Sequence, residues 1–230
     1  MADLTTRVES DVASHGLTIF AVASNFVYDV VESAQRRGFT STLIDNLGTA
    51  DRDLPNLEKL SDRSDRARPF TIGLSSAHHR GQALVACADQ GFRQPFTLVD
   101  PTAIVAHSTT FGHSAYVNAG VVIGPHTHIG CAASINRSAS LGHDNNIGFS
   151  TSVGPGAILA GHVTLGSCVS VGAGAVILPD VVVHDGATVG AGAVVTHDVD
   201  AFDVVVRNPA RVLKQSDIIP LLTCPYCDAR

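Results

Sequence analysis

The sequence predicts a fold in two parts: an α/β unit built on a small parallel sheet, then an all-β solenoid. Two observations carry this. Between residues 17 and 100, apolar runs of strand length alternate with stretches of helical spacing. From residue 103 the period becomes six, and it holds through sixteen hexads without an insertion.

In the first part, the continuous apolar run "LTIFAVA" (17–23) predicts a buried strand. In "NFVYDVVESAQRRG" (25–38), Phe26, Val27, Val30, Val31 and Ala34 follow helical spacing, with Asn25 as a cap and Gly38 as the stop. "FTSTLID" (39–45) is a second strand, and residues 46–68 are polar and irregular. "PFTIGLSS" (69–76) is a third strand, "AHHRGQALVACADQG" (77–91) a helix, and "QPFTLVD" (94–100) a fourth strand. Strand–helix alternation implies a Rossmann-like parallel sheet over residues 1–100.

In the second part, Val105, Phe111, Val117, Ile123, Ile129, Ile135, Leu141 and Ile147 begin a column of residues six apart. It continues through Val153, Leu159, Leu165, Val171, Ile177, Val183, Val189 and Val195. The residue two before each column position is Ala, Thr, Val or Asn, and the one after is usually Gly, Ala or Asn. No helix tolerates this period with so much glycine. Each hexad therefore makes one short strand and one turn of a β-helix, the branched column fills its interior, and small residues let the coils stack. The solenoid spans residues 101–214, leaving 215–230 as a tail.

Composition limits the function. The formal net charge of −6 disfavours a nucleic-acid partner, and Arg36 and Arg37 read as a solvated helix end. No run is apolar for the 18 or so residues of a membrane span, and the polar "MADLTTRVESDVASH" has no signal-peptide core. The expectation is a soluble cytoplasmic protein. Five cysteines, an odd number, argue against a disulfide framework. "CPYC" (224–227) resembles the redox motif of glutaredoxins but lacks the strand–helix unit that lowers a thiol pKa. It reads as a tail with two thiols; a zinc site there would need two more ligands, for example from another subunit.

The hexad column resembles the hexapeptide-repeat family, whose left-handed parallel β-helix turns once per three hexads. The closing stretch "VVVRNPARVLK" (204–214) is similar to the segment that ends the helix in many acyltransferases of that group. The preceding α/β unit narrows the resemblance to acetyltransferases acting on nucleotide-linked 4-amino sugars or on sialic acid. The resemblance implies a homotrimer, acetyl-CoA as co-substrate, no metal, and a sugar acceptor bound by the α/β unit. Geometry agrees with a trimer, since a solenoid with an exposed base needs a neighbour to form a cleft.

A coil of eighteen residues stacks His107, Pro125, His143, Gly161, Pro179 and His197 near one turn. The resemblance places the family's general-base histidine on His143 and its acidic neighbour on Asp144. A carboxylate beside an imidazole favours the protonated form, and a positioned histidine can take the proton of an attacking amine or hydroxyl. By the same correspondence Gly161 contacts the acetyl group, Ala173 and Ala191 contact the CoA arm through their backbone, and Asn136 lies near the acceptor sugar. Asn136 also stacks over Asn118, which a structural Asn ladder would explain equally. Ser152 stands where the related enzymes have a histidine that bonds the cofactor. Asp45 and Asn46 match the turn that reads the nucleoside. The glycine-rich loop expected in the first βα turn is replaced by the glycine-free "AVASNFVYDVV" (21–31).

The expected function is acetyl transfer to the amine of an amino sugar; the alternatives are sugar or sialic acid O-acetylation and a non-catalytic scaffold. A zinc enzyme of the gamma carbonic anhydrase type would need a third histidine five residues after the second of a pair 36 apart. His107 and His143 have that spacing, but Gly148 follows; His126 and His162 have it, but Ser167 follows.

Overall fold

The computed structural model describes residues 12, 16–22, 24–45, 57–59, 66–217 and 223–227. The first unit is a parallel sheet of order β3-β2-β1-β4, with β1 Leu17–Phe20, β2 Ser41–Asp45, β3 Leu57–Lys59 and β4 Phe70–Ile72. β1 and β4 are buried at every position, as strands covered on both faces must be. Two helices flank them, α1 (Phe26–Arg36) and α2 (Ala77–Asp89). α1 buries Val27, Val30 and Ala34, one stripe of a 3.6-residue period. Asn25 precedes α1 but makes no side-chain cap, whereas the Ser76 hydroxyl accepts the His79 N–H of α2 at 3.5 Å.

Two sequence expectations change here. Part of the stretch read as irregular, Leu57–Lys59, supplies the fourth strand of the sheet. Residues 94–100 do not. Pro95 has no N–H and meets Phe70 only as an isolated bridge. Leu98–Val99, which we label β5, instead pairs with Tyr116–Val117 and opens the solenoid.

Sixteen two-residue strands follow, from Ile104–Val105 to Val194–Val195. The strands from Ile104–Val105 to Val176–Ile177 each pair in parallel with the strand eighteen residues on, as in Ser134↔Ser152 and Ser140↔Ile158. Three sheets result, of five, eight and six strands, forming the faces of a left-handed prism. The column is buried from Val117 to Val195, while Val105 and Phe111, on the open first coil, are half-buried. A hairpin of Asp203–Val206 and Arg211–Gln215 extends the eight-stranded sheet. Among the described residues, no helix is long and apolar enough to cross a membrane.

The α/β unit lies along the eight-stranded sheet, and buried polar groups tie the two together. Arg80 of α2 is fully buried. Its guanidinium donates to the carbonyls of Leu74 (3.1 Å), Ser75 (2.8 Å), Ser150 (3.1 Å), Thr151 (3.0 Å) and Ala132. Burial pulls its pKa down to about 9, so it stays charged at neutral pH.

Asp100 holds the second tie. Burial pushes its carboxyl up, but hydrogen bonds from Ser33 (2.6 Å), Thr102 (2.6 Å) and Arg36 (2.9 Å) prevail and hold it at about 2. Arg36 is therefore not a solvated helix end. Its guanidinium reaches the fully buried Asp100 carboxylate at 2.8 Å, because α1 ends beside the first coil. A carboxylate with a depressed folded pKa stabilises the fold above its unfolded value near 4. That contribution, about 2 kcal/mol, should be lost as pH falls from about 4 to 2. Urea unfolding at pH 7 and pH 3 should show wild type losing more stability than Asp100→Asn over that interval.

Candidate active site

His143 follows the strand Ser140–Leu141, at the corner between the six- and five-stranded sheets. The turn there requires a left-handed residue, and Asp144 fills it with φ 56°. The Asp144 N–H donates to Pro125 O on the coil before, and His143 O accepts from His162 N–H on the coil after. The backbone of the turn is thus fixed on both sides.

The side chains form a pair. His143 Nδ1 lies 2.7 Å from Asp144 Oδ2. With the proton on Nδ1, the carboxylate accepts it and Nε2 presents a free lone pair. That hydrogen bond, with the charges of His162 and His126 nearby, holds the Asp144 carboxyl below its ordinary value against slight desolvation. The His143 side chain is 55 % exposed, so the imidazole is open to a ligand.

Gly161 lies against the imidazole: a Cβ there would stand 2.7 Å from both Cε1 and Nε2 of His143. The Gly161 amide donates to no partner among the described residues, so it can serve an oxyanion near Nε2. Gly161→Ala should push the ring from its seat and lower kcat/KM by roughly 10–10²-fold. Far-UV circular dichroism and melting temperature should hardly change, because only a mobile side chain has to move.

Two residues of this corner were not assigned to the active site from the sequence. His162 packs edge-on against His143, with ring centroids 5.1 Å apart, and its Nε2 is 3.9 Å from Asp144 Oδ2. The signal was available, since 162 is 144 plus one coil. The second is Asn145, buried in an interior position otherwise held mostly by Ala, Thr or Val. Its amide donates to Gly142 O (2.9 Å) and its oxygen accepts from Val163 N–H (2.8 Å). It joins the turn carrying His143 to the turn carrying His162.

The other sequence-predicted residues lie elsewhere in this chain. Asn136, Ala173 and Ala191 follow strands of the eight-stranded sheet, at the next corner of the prism. Asn136 is part of a ladder: its oxygen accepts from Asn118 Nδ2 (3.0 Å) and from the Arg137 amide (2.8 Å), and Asn118 caps Ala119 likewise. The ladder stops there. Pro155 has no N–H, and Gly172 and Gly190 have no side chain, so the Ala173 and Ala191 amides donate to nothing among the described residues. Ser152 sits on the eight-stranded sheet, where its hydroxyl donates to Ser75 O (2.9 Å) and accepts from Arg80 (2.9 Å). Its hydrogen bonds serve the seam between the units. Asp45 ends β2 in the α/β unit, and Asn46 lies outside the described residues. In the glycine-free turn after β1, Ala21 adopts φ 58° where glycine would be unstrained.

Comparison with known proteins agrees with this architecture. A family model described as bacterial transferase hexapeptide (six repeats) matches residues 163–197. A search of the curated proteins gives no match. Among solved structures, PerB from Caulobacter crescentus, in complex with CoA and GDP-perosamine, is 26% identical with a TM-score of 0.78, covering 86% of this chain and 97% of that one. The acetyltransferase domain of PglB from Neisseria gonorrhoeae, in complex with acetyl coenzyme A, is 25% identical with a TM-score of 0.76, covering 86% and 98%. WeeI from Acinetobacter baumannii shares the fold at 24% identity and a TM-score of 0.76, covering 86% and 99%. The repeat, the prism with its α/β unit, and these relatives together make the chain similar to the hexapeptide-repeat acyltransferases.

Proposed function

We propose that the protein transfers the acetyl group of acetyl-CoA to the amine of a nucleotide-linked amino sugar, with His143 as general base. The observation that carries this is the His143–Asp144 pair seated on Gly161, with Nε2 open beside an unpaired amide. Nε2 takes the proton as the sugar amine attacks the thioester carbonyl. The Gly161 N–H receives the oxyanion of the tetrahedral intermediate. Collapse breaks the C–S bond, and the imidazolium returns the proton to the departing thiolate. The amide forms in one displacement, and no covalent enzyme intermediate is needed.

The free amides of Ala173 and Ala191 suit the amide carbonyls of a CoA arm. Asp45, with Asn46 beside it in sequence, suits a nucleoside, and Asn136 stands at the same corner as the two alanines. The α/β unit covers the eight-stranded sheet, while His143 stands at the corner opposite it. One complete site therefore draws on two copies of the chain, and a closed ring of three satisfies every copy. The PerB relative, bound to CoA and GDP-perosamine, supports the choice of substrates.

The test is thiol release from acetyl-CoA with a panel of nucleotide-linked amino sugars, free amino sugars and sialic acid. Turnover with a nucleotide-linked 4-amino sugar is the expected result. Turnover with a hydroxyl acceptor alone would make the protein an O-acetyltransferase. Absence of both turnover and CoA binding would make it a scaffold.

A further inference from the structure

The C-terminal CPYC segment does not hang free. It folds back against the seam between the two units, where Cys224 is buried and the Tyr226 hydroxyl donates to Phe92 O at 3.0 Å. The Tyr226 ring packs against Phe70 and against His113. This brings Cys224 and Cys227 onto His113 and Cys131, which stack eighteen residues apart on the first two coils. We propose that His113, Cys131, Cys224 and Cys227 form a structural zinc site that fastens the tail to the seam.

The geometry is that of a tetrahedron without its centre. Cys131 Sγ lies 3.5 Å from His113 Nδ1 and 3.5 Å from Cys227 Sγ. His113 Nδ1 lies 3.8 Å from the sulfurs of both Cys224 and Cys227. All four atoms fall within 4.8 Å of one another. Zinc with Zn–S near 2.3 Å and Zn–N near 2.0–2.1 Å holds its ligand atoms about 3.5–3.8 Å apart. No pair of these cysteines is joined as a disulfide, and a disulfide would leave the other two ligands unexplained.

The surroundings fit as well. Cys224 and Cys227 have the C-x2-C spacing of zinc sites, and their turn is closed by a bond from Cys227 N–H to Cys224 O at 3.2 Å. The His113 N–H donates to Cys131 Sγ at 3.2 Å, a bond that stabilises a thiolate. Gly112 must be bare, because a Cβ there would strike the backbone and sulfur of Cys131. Three thiolates and an imidazole select zinc over hard cations, and four protein ligands leave no open position for catalysis. The site stands at the corner between the five- and eight-stranded sheets, away from His143. The missing two ligands thus come from the same chain, and binding would release the three thiol protons.

The test is metal content. Protein grown with zinc, purified under reducing conditions without chelator and dialysed, should hold about one zinc per chain by plasma mass spectrometry. Cys131→Ser and Cys227→Ser should each bring this near zero, while a His143→Ala/His162→Ala variant should keep it. To separate binding from folding of the variants, Co²⁺ is added to reduced, metal-free wild type. Thiolate-to-cobalt charge transfer with strong tetrahedral d–d bands is expected. The proposal is overturned if neither Zn²⁺ nor Co²⁺ binds reduced wild type at one per chain. It is equally overturned if the cysteine variants keep the metal, or if the histidine pair variant loses it.

Discussion

His143→Ala should lower kcat for acetyl transfer by about 10²–10⁴-fold, with KM for acetyl-CoA changed little. The thermal midpoint should stay within a degree or two of wild type, since the side chain is mostly exposed and its hydrogen bond is to the neighbouring Asp144. That split separates a base from a packing residue. Asp144→Asn should fall between wild type and His143→Ala, because the amide can still be approached by Nδ1–H but no longer offers a carboxylate. Steady-state kinetics beside a melting curve decides the matter. Equal kcat in His143→Ala and wild type would remove the base from His143.

Arg80→Met should cost about 3–5 kcal/mol in unfolding free energy. Methionine fills much of the volume but leaves the carbonyls of Ala132, Ser150 and Thr151 without their donor inside a closed seam. A carbonyl buried without a partner costs about 1–3 kcal/mol, and an Arg80→Lys variant, able to reach only some of them, should recover part of the loss. Urea denaturation gives the size of the effect. A two-step transition in the methionine variant, with the solenoid melting last, would show that Arg80 couples the units.

The solenoid was legible residue by residue, because a strict period of six leaves one arrangement in which the column from Val117 to Val195 is buried. His143 and Gly161 were legible for the same reason, since register converts spacing into contact. His162 was equally available but was weighed only with His126 as a zinc-ligand pair, not as a neighbour of His143. The α/β unit was read less well. Its third strand from the N-terminus, Leu57–Lys59, is three residues in a polar stretch, and its short length erases any period. The segment around Pro95 carried a strand composition but belonged to another sheet, which only long-range pairing decides. Arg80 looked like one polar position on a helix, and nothing local marks it as the most deeply engaged cation described. The partners of CPYC were hidden because the tail returns across roughly a hundred residues to reach them.

The strict register also governs how such a chain can change length. Adding or removing eighteen residues inserts or deletes one whole storey and leaves every other side chain on its own face. A change of six or twelve rotates everything above it by one face, so Gly161 would no longer stand over His143. Histidine and glycine are held together by counting, and only a change of whole storeys leaves that count intact.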